Sequence, residues 1–198
     1  MRKIRFDGGT LCLDYVNTVH NRLTYPLDDY LHDARSLVEW SFQRKAITYN
    51  KGQTLKGVVE KEPEKARFFF EQAIRLRELL YHLFYNVNLK VAIPPSKINL
   101  INKLFSEYFS QLAIKQEGIQ LKEIWGFAPD SLNILLAPII KDAYELLLTE
   151  KKEKIKECPN CGWLFFDSSK NGKRRWCSMK TCGSQVKALD WYHRNKHR

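Results

Sequence analysis

CPNCGWLFFDSSKNGKRRWCSMKTC, residues 158–182, carries four of the five cysteines in this 198-residue chain. The cysteines form two close pairs separated by a longer loop, and two such pairs can converge on one tetrahedral ion. Four thiolates favour Zn²⁺, and a closed set of four ligands is typical of a structural rather than a catalytic site. We therefore predict one structural Zn²⁺ ion, bound by Cys158, Cys161, Cys177 and Cys182.

The residues around these cysteines predict a small finger. Apolar residues lie on both sides of Asn171-Gly172, a dipeptide preferred at the tip of a tight hairpin. A helix is predicted over Ser184–Arg194, directly after the last cysteine. The order of knuckle, hairpin and helix resembles treble-clef and GATA-like fingers, so we predict a treble-clef-like four-cysteine zinc finger at residues 153–198.

Residues 1–152 are predicted to form a mostly helical domain. The strongest signal follows Pro63, where apolar residues recur at alternating steps of three and four. A two-fold alternation between residues 113 and 127 predicts a β-hairpin. Other predicted features are a helix at residues 29–42, a loop at Gly52 and Gly57, a helix after Pro95, and a helix at Ser131–Glu150 with a kink at Pro138. The fold class is therefore mainly α with a small β-hairpin (α+β).

Positive charge is concentrated at the C-terminal end. The chain has a formal net charge of +11, and residues 158–198 contain nine Lys and Arg against two acids. Four thiolates and one Zn²⁺ ion would remove about two of these positive charges, and the segment would remain basic. Such a segment suits a polyanion, and an RNA target fits the charge as well as DNA does. The candidate nucleic-acid contacts are Lys173, Arg174, Arg175, Gln185, Lys187 and Arg194.

Several motifs resemble one bacterial protein family. The run Leu164–Ser169 and the run Lys173–Gly183, together with the cysteine spacing, are similar to the CGNR zinc finger. Upstream, Leu13–Thr18, Leu37–Trp40 and Leu76–Leu80 are similar to motifs of the ABATE domain, which precedes that finger. The resemblance spans nearly the whole chain and implies a stress-induced transcription regulator. Where the family motif reads Cys-Gly-Asn-Arg, this chain has Cys182-Gly183-Ser184-Gln185, which retains hydrogen bonding and loses one charge.

Four residues in apolar segments of the N-terminal region form a second candidate site. They are Asp14, Asn17, Trp40 and Arg77. One interpretation is a pocket for a small ligand, whose binding is signalled to the finger. The other is an internal network of satisfied hydrogen bonds that locks two helices together.

The sequence favours a regulator over an enzyme. It has no glycine-rich phosphate loop, no G-x-S-x-G elbow and no H-E-x-x-H motif. No apolar run is long enough to cross a bilayer and the N-terminus does not read as a signal peptide, so we predict a cytoplasmic location. We expect a DNA-binding transcription regulator that is a homodimer and responds to a small-molecule effector. The alternative is a protein-interaction adaptor in which zinc only stabilises the fold.

Overall fold

A computed structural model describes residues 4–196, so residues 1–3 and 197–198, at the outer ends of the two predicted domains, lie outside the described residues. Within this range the chain is mainly helical, with two small antiparallel sheets. The α-helices are α1 (Leu11–Val16), α2 (Ala34–Gln43), α3 (Tyr49–Lys61), α4 (Pro63–Leu89), α5 (Pro95–Phe109), α6 (Ala137–Leu148) and α7 (Ser184–Asn195). The strands are β1 (Leu112–Glu117), β2 (Gln120–Trp125), β3 (Ile155–Glu157) and β4 (Leu164–Phe166). Shorter segments are two 3₁₀-helices (Leu132–Leu135 and Glu150–Lys154) and a π-helical turn (Met179–Gly183).

These elements confirm the predicted fold class. The apolar repeat after Pro63 forms α4, and the alternating segment forms the β1–β2 hairpin. None of the helices within residues 4–196 combines the length and apolar character that a membrane crossing requires.

The core is built around the short helix α1. Its residues from Cys12 to Val16 are all buried, and α4 and α6 pack against them. The Thr10 side chain caps the first turn, and the Asp142 carboxylate of α6 accepts a hydrogen bond from the Cys12 N–H at 2.7 Å. A helix of this length is unstable alone, so these tertiary contacts are what hold it.

The predicted loop at Gly52 and Gly57 is wrong, because both glycines lie in α3. The Thr48 side chain caps this helix by accepting a hydrogen bond from the Lys51 N–H. Glycine costs about 1 kcal/mol relative to alanine inside a helix. Burial of Leu55 between α3 and its neighbours offsets that cost.

The predicted helix over Ser131–Glu150 is divided in two. A 3₁₀-helix ends at Leu135, and α6 begins at Ala137 with Pro138 in its first turn. Proline lacks an N–H and needs none at this position, so Pro138 starts the helix and does not kink it. The helix predicted from residue 29 likewise begins only at Ala34, after an Asp33–Ser36 capping box.

The hairpin predicted around Asn171-Gly172 is also wrong. Strand β4 pairs with β3, which precedes the first cysteine pair, with Ile155 opposite Phe166. No strand lies between residues 167 and 178. Side chains bind the backbone there: the Asp167 carboxylate accepts hydrogen bonds from the N–H groups of Ser169 and Arg174.

Asn17 joins this second sheet to the helical part of the chain. Its side-chain amide donates to the Leu164 carbonyl at 2.7 Å and accepts from the Leu164 N–H at 3.1 Å. Ile155 and Leu164 of the sheet are buried in the same core as α1. The predicted boundary after residue 152 falls within the Glu150–Lys154 3₁₀-helix and stays a prediction.

Replacing Asn17 tests this connection. Asn17→Ala is expected to lower the free energy of unfolding by about 2–4 kcal/mol, because two buried backbone groups lose their partners. Urea denaturation followed by circular dichroism measures the change. Asn102→Ala, on the exposed surface of α5, is the matched control. Equal stability of the two variants would contradict the assigned role.

Candidate metal centre

The four predicted zinc ligands come from two separate segments of the finger. Cys158 and Cys161 lie in the turn between β3 and β4. Cys177 follows the irregular loop after β4, and Cys182 lies in the π-helical turn that leads into α7. All four side chains are buried. The fold thus brings together two cysteine pairs that the sequence separates by fifteen residues.

The sulfur positions fit one tetrahedral ion. The Sγ atoms of Cys161, Cys177 and Cys182 are 3.6–3.7 Å apart, and all four Sγ atoms lie within 4.8 Å of one another. A tetrahedron with Zn–S bonds of about 2.3 Å has S–S edges of about 3.8 Å. Four sulfur ligands leave no open position, so the geometry is that of a structural site.

Three of the four thiols share protons in the cluster. Hydrogen bonds from Cys161 and Cys177 hold the pKa of the Cys158 thiol well below its ordinary value. Cys161 and Cys177 donate these hydrogen bonds to Cys158. Losing the donated proton would break them, so the pKa of the Cys161 and Cys177 thiols is raised. A bound Zn²⁺ ion would replace these protons with its own positive charge.

Arg5 places a positive charge beside the cysteines. Its guanidinium lies 4.3 Å from the centre of the Trp163 ring and donates to the Thr181 hydroxyl. Burial lowers the pKa of Arg5, but the charges of the Cys177 sulfur, the Asp7 carboxylate and the other sulfurs outweigh this and raise it. The net negative charge of a four-thiolate zinc site is thereby partly neutralised from the N-terminal segment.

The first cysteine turn is attached directly to the helical part. The Arg22 N–H donates to the Cys161 carbonyl at 2.8 Å, and the Trp163 indole donates to the Val19 carbonyl at 2.8 Å. Gly162 has a φ of +67°, and a Cβ there would lie 2.8 Å from the Cβ of Arg22. Only glycine meets both conditions, so this residue allows the close approach.

Among the predicted nucleic-acid contacts, Arg174 differs from its neighbours. Its guanidinium donates to the carbonyls of Trp176, Asp7 and Cys177 and lies 4.6 Å from the centre of the Phe165 ring. These contacts fix the loop before Cys177. Lys173 and Arg175 are exposed on either side of it.

The remaining predicted contacts lie on α7. Gln185, Lys187 and Arg194 are all exposed, and no residue of α7 is buried. The Gln185 side chain accepts a hydrogen bond from Asn160 at 3.1 Å, and Arg194 donates to the Asp190 carbonyl. Lys187 has no hydrogen-bond or ion-pair partner within residues 4–196.

The four residues of the second candidate site are buried and do not line either of the two clefts described below. Asp14 accepts hydrogen bonds from the Gly8 N–H and from Arg44. Burial raises the pKa of Asp14 to about 6, against the effect of these donors. Trp40 packs against Tyr15, with ring centres 5.5 Å apart.

Arg77 has partners of its own. Its guanidinium binds both carboxylate oxygens of Asp29, at 2.8 and 2.6 Å, and donates to Glu78 and to the Thr18 hydroxyl. Together with the Asn17 contacts to Leu164, these bonds form an internal hydrogen-bond network, whereas the buried Trp40 indole N–H has no partner among the described residues. The ligand pocket at these four residues stays a prediction. The sequence pattern indicated the buried arginine, whereas its partner Asp29 lies outside any motif.

Removing single sulfurs tests the metal centre. Purified protein is expected to contain one zinc per chain, and Cys177→Ala to lose it, because three ligands leave the site open. Inductively coupled plasma mass spectrometry measures the content. Cys12→Ala is the control, since Cys12 is buried in the helical core beside Thr10. Full zinc retention in Cys177→Ala would contradict the assignment.

Two family models match the chain. Residues 154–195 match the CGNR zinc finger, and residues 9–150 match ABATE, described as "Putative stress-induced transcription regulator". No curated protein matches the chain. The finger match and the sulfur cluster together identify the cofactor as one structural zinc ion. Because the second match covers most of its length, the chain belongs to the ABATE family and carries a CGNR zinc finger at its C-terminal end.

Proposed function

We propose that this protein is a non-enzymatic transcription regulator that binds DNA through its zinc finger. The observation that carries the proposal is the placement of acidic and basic side chains in the finger. Of the two acids in residues 158–198, Asp167 is buried and paired with Lys156 at 2.7 Å, and Asp190 is exposed. The basic residues Lys170, Lys173, Arg175, Lys180, Lys187 and Arg194 are all exposed. The exposed surface of residues 158–198 is therefore strongly positive.

The burial of Asp167 is stabilised by several donors. Burial works to raise the pKa of this carboxyl, but hydrogen bonds from Lys156, Ser169 and the Arg174 N–H hold the pKa well below its usual range. Asp167 stays ionised inside the finger, where it neutralises Lys156 and leaves the outer cations unpaired. Such exposed cations bind nucleic acid by releasing counterions from phosphates.

Helix α7 supports the same proposal. It projects from the finger with no buried residue, and its width suits the major groove of B-DNA. Lys187 and Arg194 extend the basic surface along it. Gln185, at its start, is held by Asn160 on the side of the zinc turn.

Salt dependence tests DNA binding. Fluorescence anisotropy with a labelled duplex is expected to show a steep loss of affinity with increasing salt, with a log–log slope of about −0.9 for each phosphate neutralised. Lys187→Ala/Arg194→Ala should reduce that slope. Lys115→Ala/Lys122→Ala, on the β1–β2 hairpin, removes the same charge elsewhere and should not. Salt-insensitive or absent binding would contradict the proposal. Tighter binding to single-stranded RNA than to duplex DNA would show that the target is RNA and not DNA.

One observation favours the adaptor as a second candidate function. Leu189, Trp191 and Tyr192 on α7 are 55%, 64% and 52% exposed. Aromatic side chains of this kind are enriched in protein interfaces. In that case α7 binds a protein, and the binding depends little on salt.

We further propose that the helical part senses a small apolar or amphipathic effector, in a cleft different from the one expected at Arg77. This cleft, of about 950 Å³, lies between α4, α5 and the residues around Leu136. Leu76, Leu79 and Leu104 provide apolar surface, and Gln72, Arg75 and Asn133 provide polar groups. Glu64, Lys65 and Glu107 also lie at its edge. A volume of this size, lined by apolar side chains with polar groups beside them, is typical of small-molecule sites.

A fluorescent dye tests the cleft. 1-Anilinonaphthalene-8-sulfonate is expected to bind saturably, with fluorescence reduced several-fold in Leu100→Glu, because a carboxylate at the apolar mouth would repel the anionic dye. Leu100 is 51% exposed, so the substitution leaves the core intact. Leu121→Glu, at an exposed leucine of the hairpin, is the control. An equal loss in both variants would show that the dye binds apolar surface in general.

A further inference from the structure

The finger and the end of α4 together border a second cleft, of about 480 Å³. We propose that this cleft is a subsite for one backbone phosphate of the nucleic acid, with Lys173, Arg175 and Asn88 as its donors. The inference rests on the proposed DNA binding and assigns it a definite place. It adds a residue of the helical part, Asn88, to a surface that the sequence confined to the finger.

The side chains that line the cleft divide into two groups. Lys156 and Arg174 have their donors occupied. Lys156 donates to Asp167 and to the carbonyls of Gly172 and Arg174, and Arg174 donates to four backbone carbonyls. They fix the walls and contribute positive potential.

The second group is free to bind a ligand. Lys173, Arg175 and Asn88 have no side-chain hydrogen bond or ion pair within residues 4–196. The Arg175 guanidinium lies 5.2 Å from the centre of the Trp176 ring, which supports it from one side. An ammonium, a guanidinium and an amide N–H group are the donors that commonly hold phosphate oxygens.

The charges at the cleft favour an anion. Positive charge at the cleft comes from Lys156, Lys173, Arg174 and Arg175, and Glu157 is the acid among the lining residues. The buried carboxylate of Asp167 neutralises Lys156. The balance remains positive, which suits one phosphodiester.

The position of the cleft connects it with α7. Pro159 lines the cleft, and the next residue, Asn160, donates to Gln185 in the first turn of α7. The zinc turn therefore lies between the cleft and the helix. A nucleic-acid strand whose phosphate occupies the cleft passes close to the start of α7, where the sequence places Gln185 in a contact role.

The test compares full-length variants in DNA titrations over a range of salt. Lys173→Ala/Arg175→Ala is expected to weaken duplex binding about tenfold or more and to reduce the magnitude of the log–log salt slope by about 1, the value for one lost phosphate. Asn88→Asp should weaken binding to a similar degree, because a carboxylate would face the phosphate. Lys151→Ala/Lys152→Ala removes two exposed charges outside the cleft and is the matched control. Zinc content confirms that each variant retains its finger.

The outcomes separate the subsite from the proposed function. If the wild type binds DNA and the cleft variants bind like the control, the subsite is wrong and DNA binding stands. If the wild type binds no nucleic acid, both fail. Inorganic phosphate, tested by thermal shift at constant ionic strength without DNA, identifies the source of the anion. Stabilisation by phosphate that depends on Lys173 and Arg175, together with unchanged DNA binding by their variant, would overturn the assignment to a nucleic-acid backbone.

Discussion

The two hydrogen bonds between Asn17 and the backbone of Leu164 are the constraint on which the rest of the structure depends. The Asn17 side chain offers β4 one donor and one acceptor, as the backbone of a neighbouring strand would, although Asn17 lies at the end of a helix. The first zinc turn is held to the same part of the chain by Arg22 and by the Val19 carbonyl. The zinc site is therefore not an independent unit at the end of a flexible linker. The free energy of metal binding contributes to holding residues 17–22, and the helical core contributes to holding the cysteines.

The finger separates the charges that hold it from the charges that it presents. The backbone groups of the loop between the cysteine pairs bind side chains, namely those of Lys156, Asp167 and Arg174. In a hairpin, a neighbouring strand would bind these backbone groups instead. Lys173 and Arg175, on either side of Arg174, are exposed and take no part in these backbone contacts. A run of three basic residues thus contains two different functions. Their electrostatic contributions differ accordingly, because Arg174 interacts with buried carbonyls whereas its neighbours remain in water.

The sequence predicts those features that depend on local spacing. The cysteine spacing predicts the metal centre, and the three-and-four repeat predicts α4, because one face of a helix and one tetrahedral site each impose a short-range pattern. It does not predict the pairing of β4 with β3, since the Asn-Gly signal is local and the competing Asp167 contacts form only in the folded loop. The partnership of Arg77 with Asp29 and the presence of Asn88 beside Lys173 depend on tertiary packing. For the same reason the glycines of α3 suggest a loop, although packing makes them helical.

Helix α4 connects the larger cleft, the internal hydrogen-bond network and the finger. Leu76 and Leu79 line the larger cleft, Arg77 and Tyr81 hold the segment before α2 and the zinc turn, and Asn88 borders the smaller cleft. Alternate faces of one turn thus serve the cleft and the network. Coupling between two sites is a difference in binding free energy. A ligand between α4 and α5 therefore acts on the finger only if α4 can take two positions and the ligand binds the protein more tightly in one of them. The hydrogen bond from the Tyr81 hydroxyl to the Gly162 carbonyl, at 3.2 Å, is the point where such a shift would reach the zinc ligands. Gly162 directly follows Cys161, so a shift of α4 that moved this carbonyl would act on the backbone beside a zinc ligand.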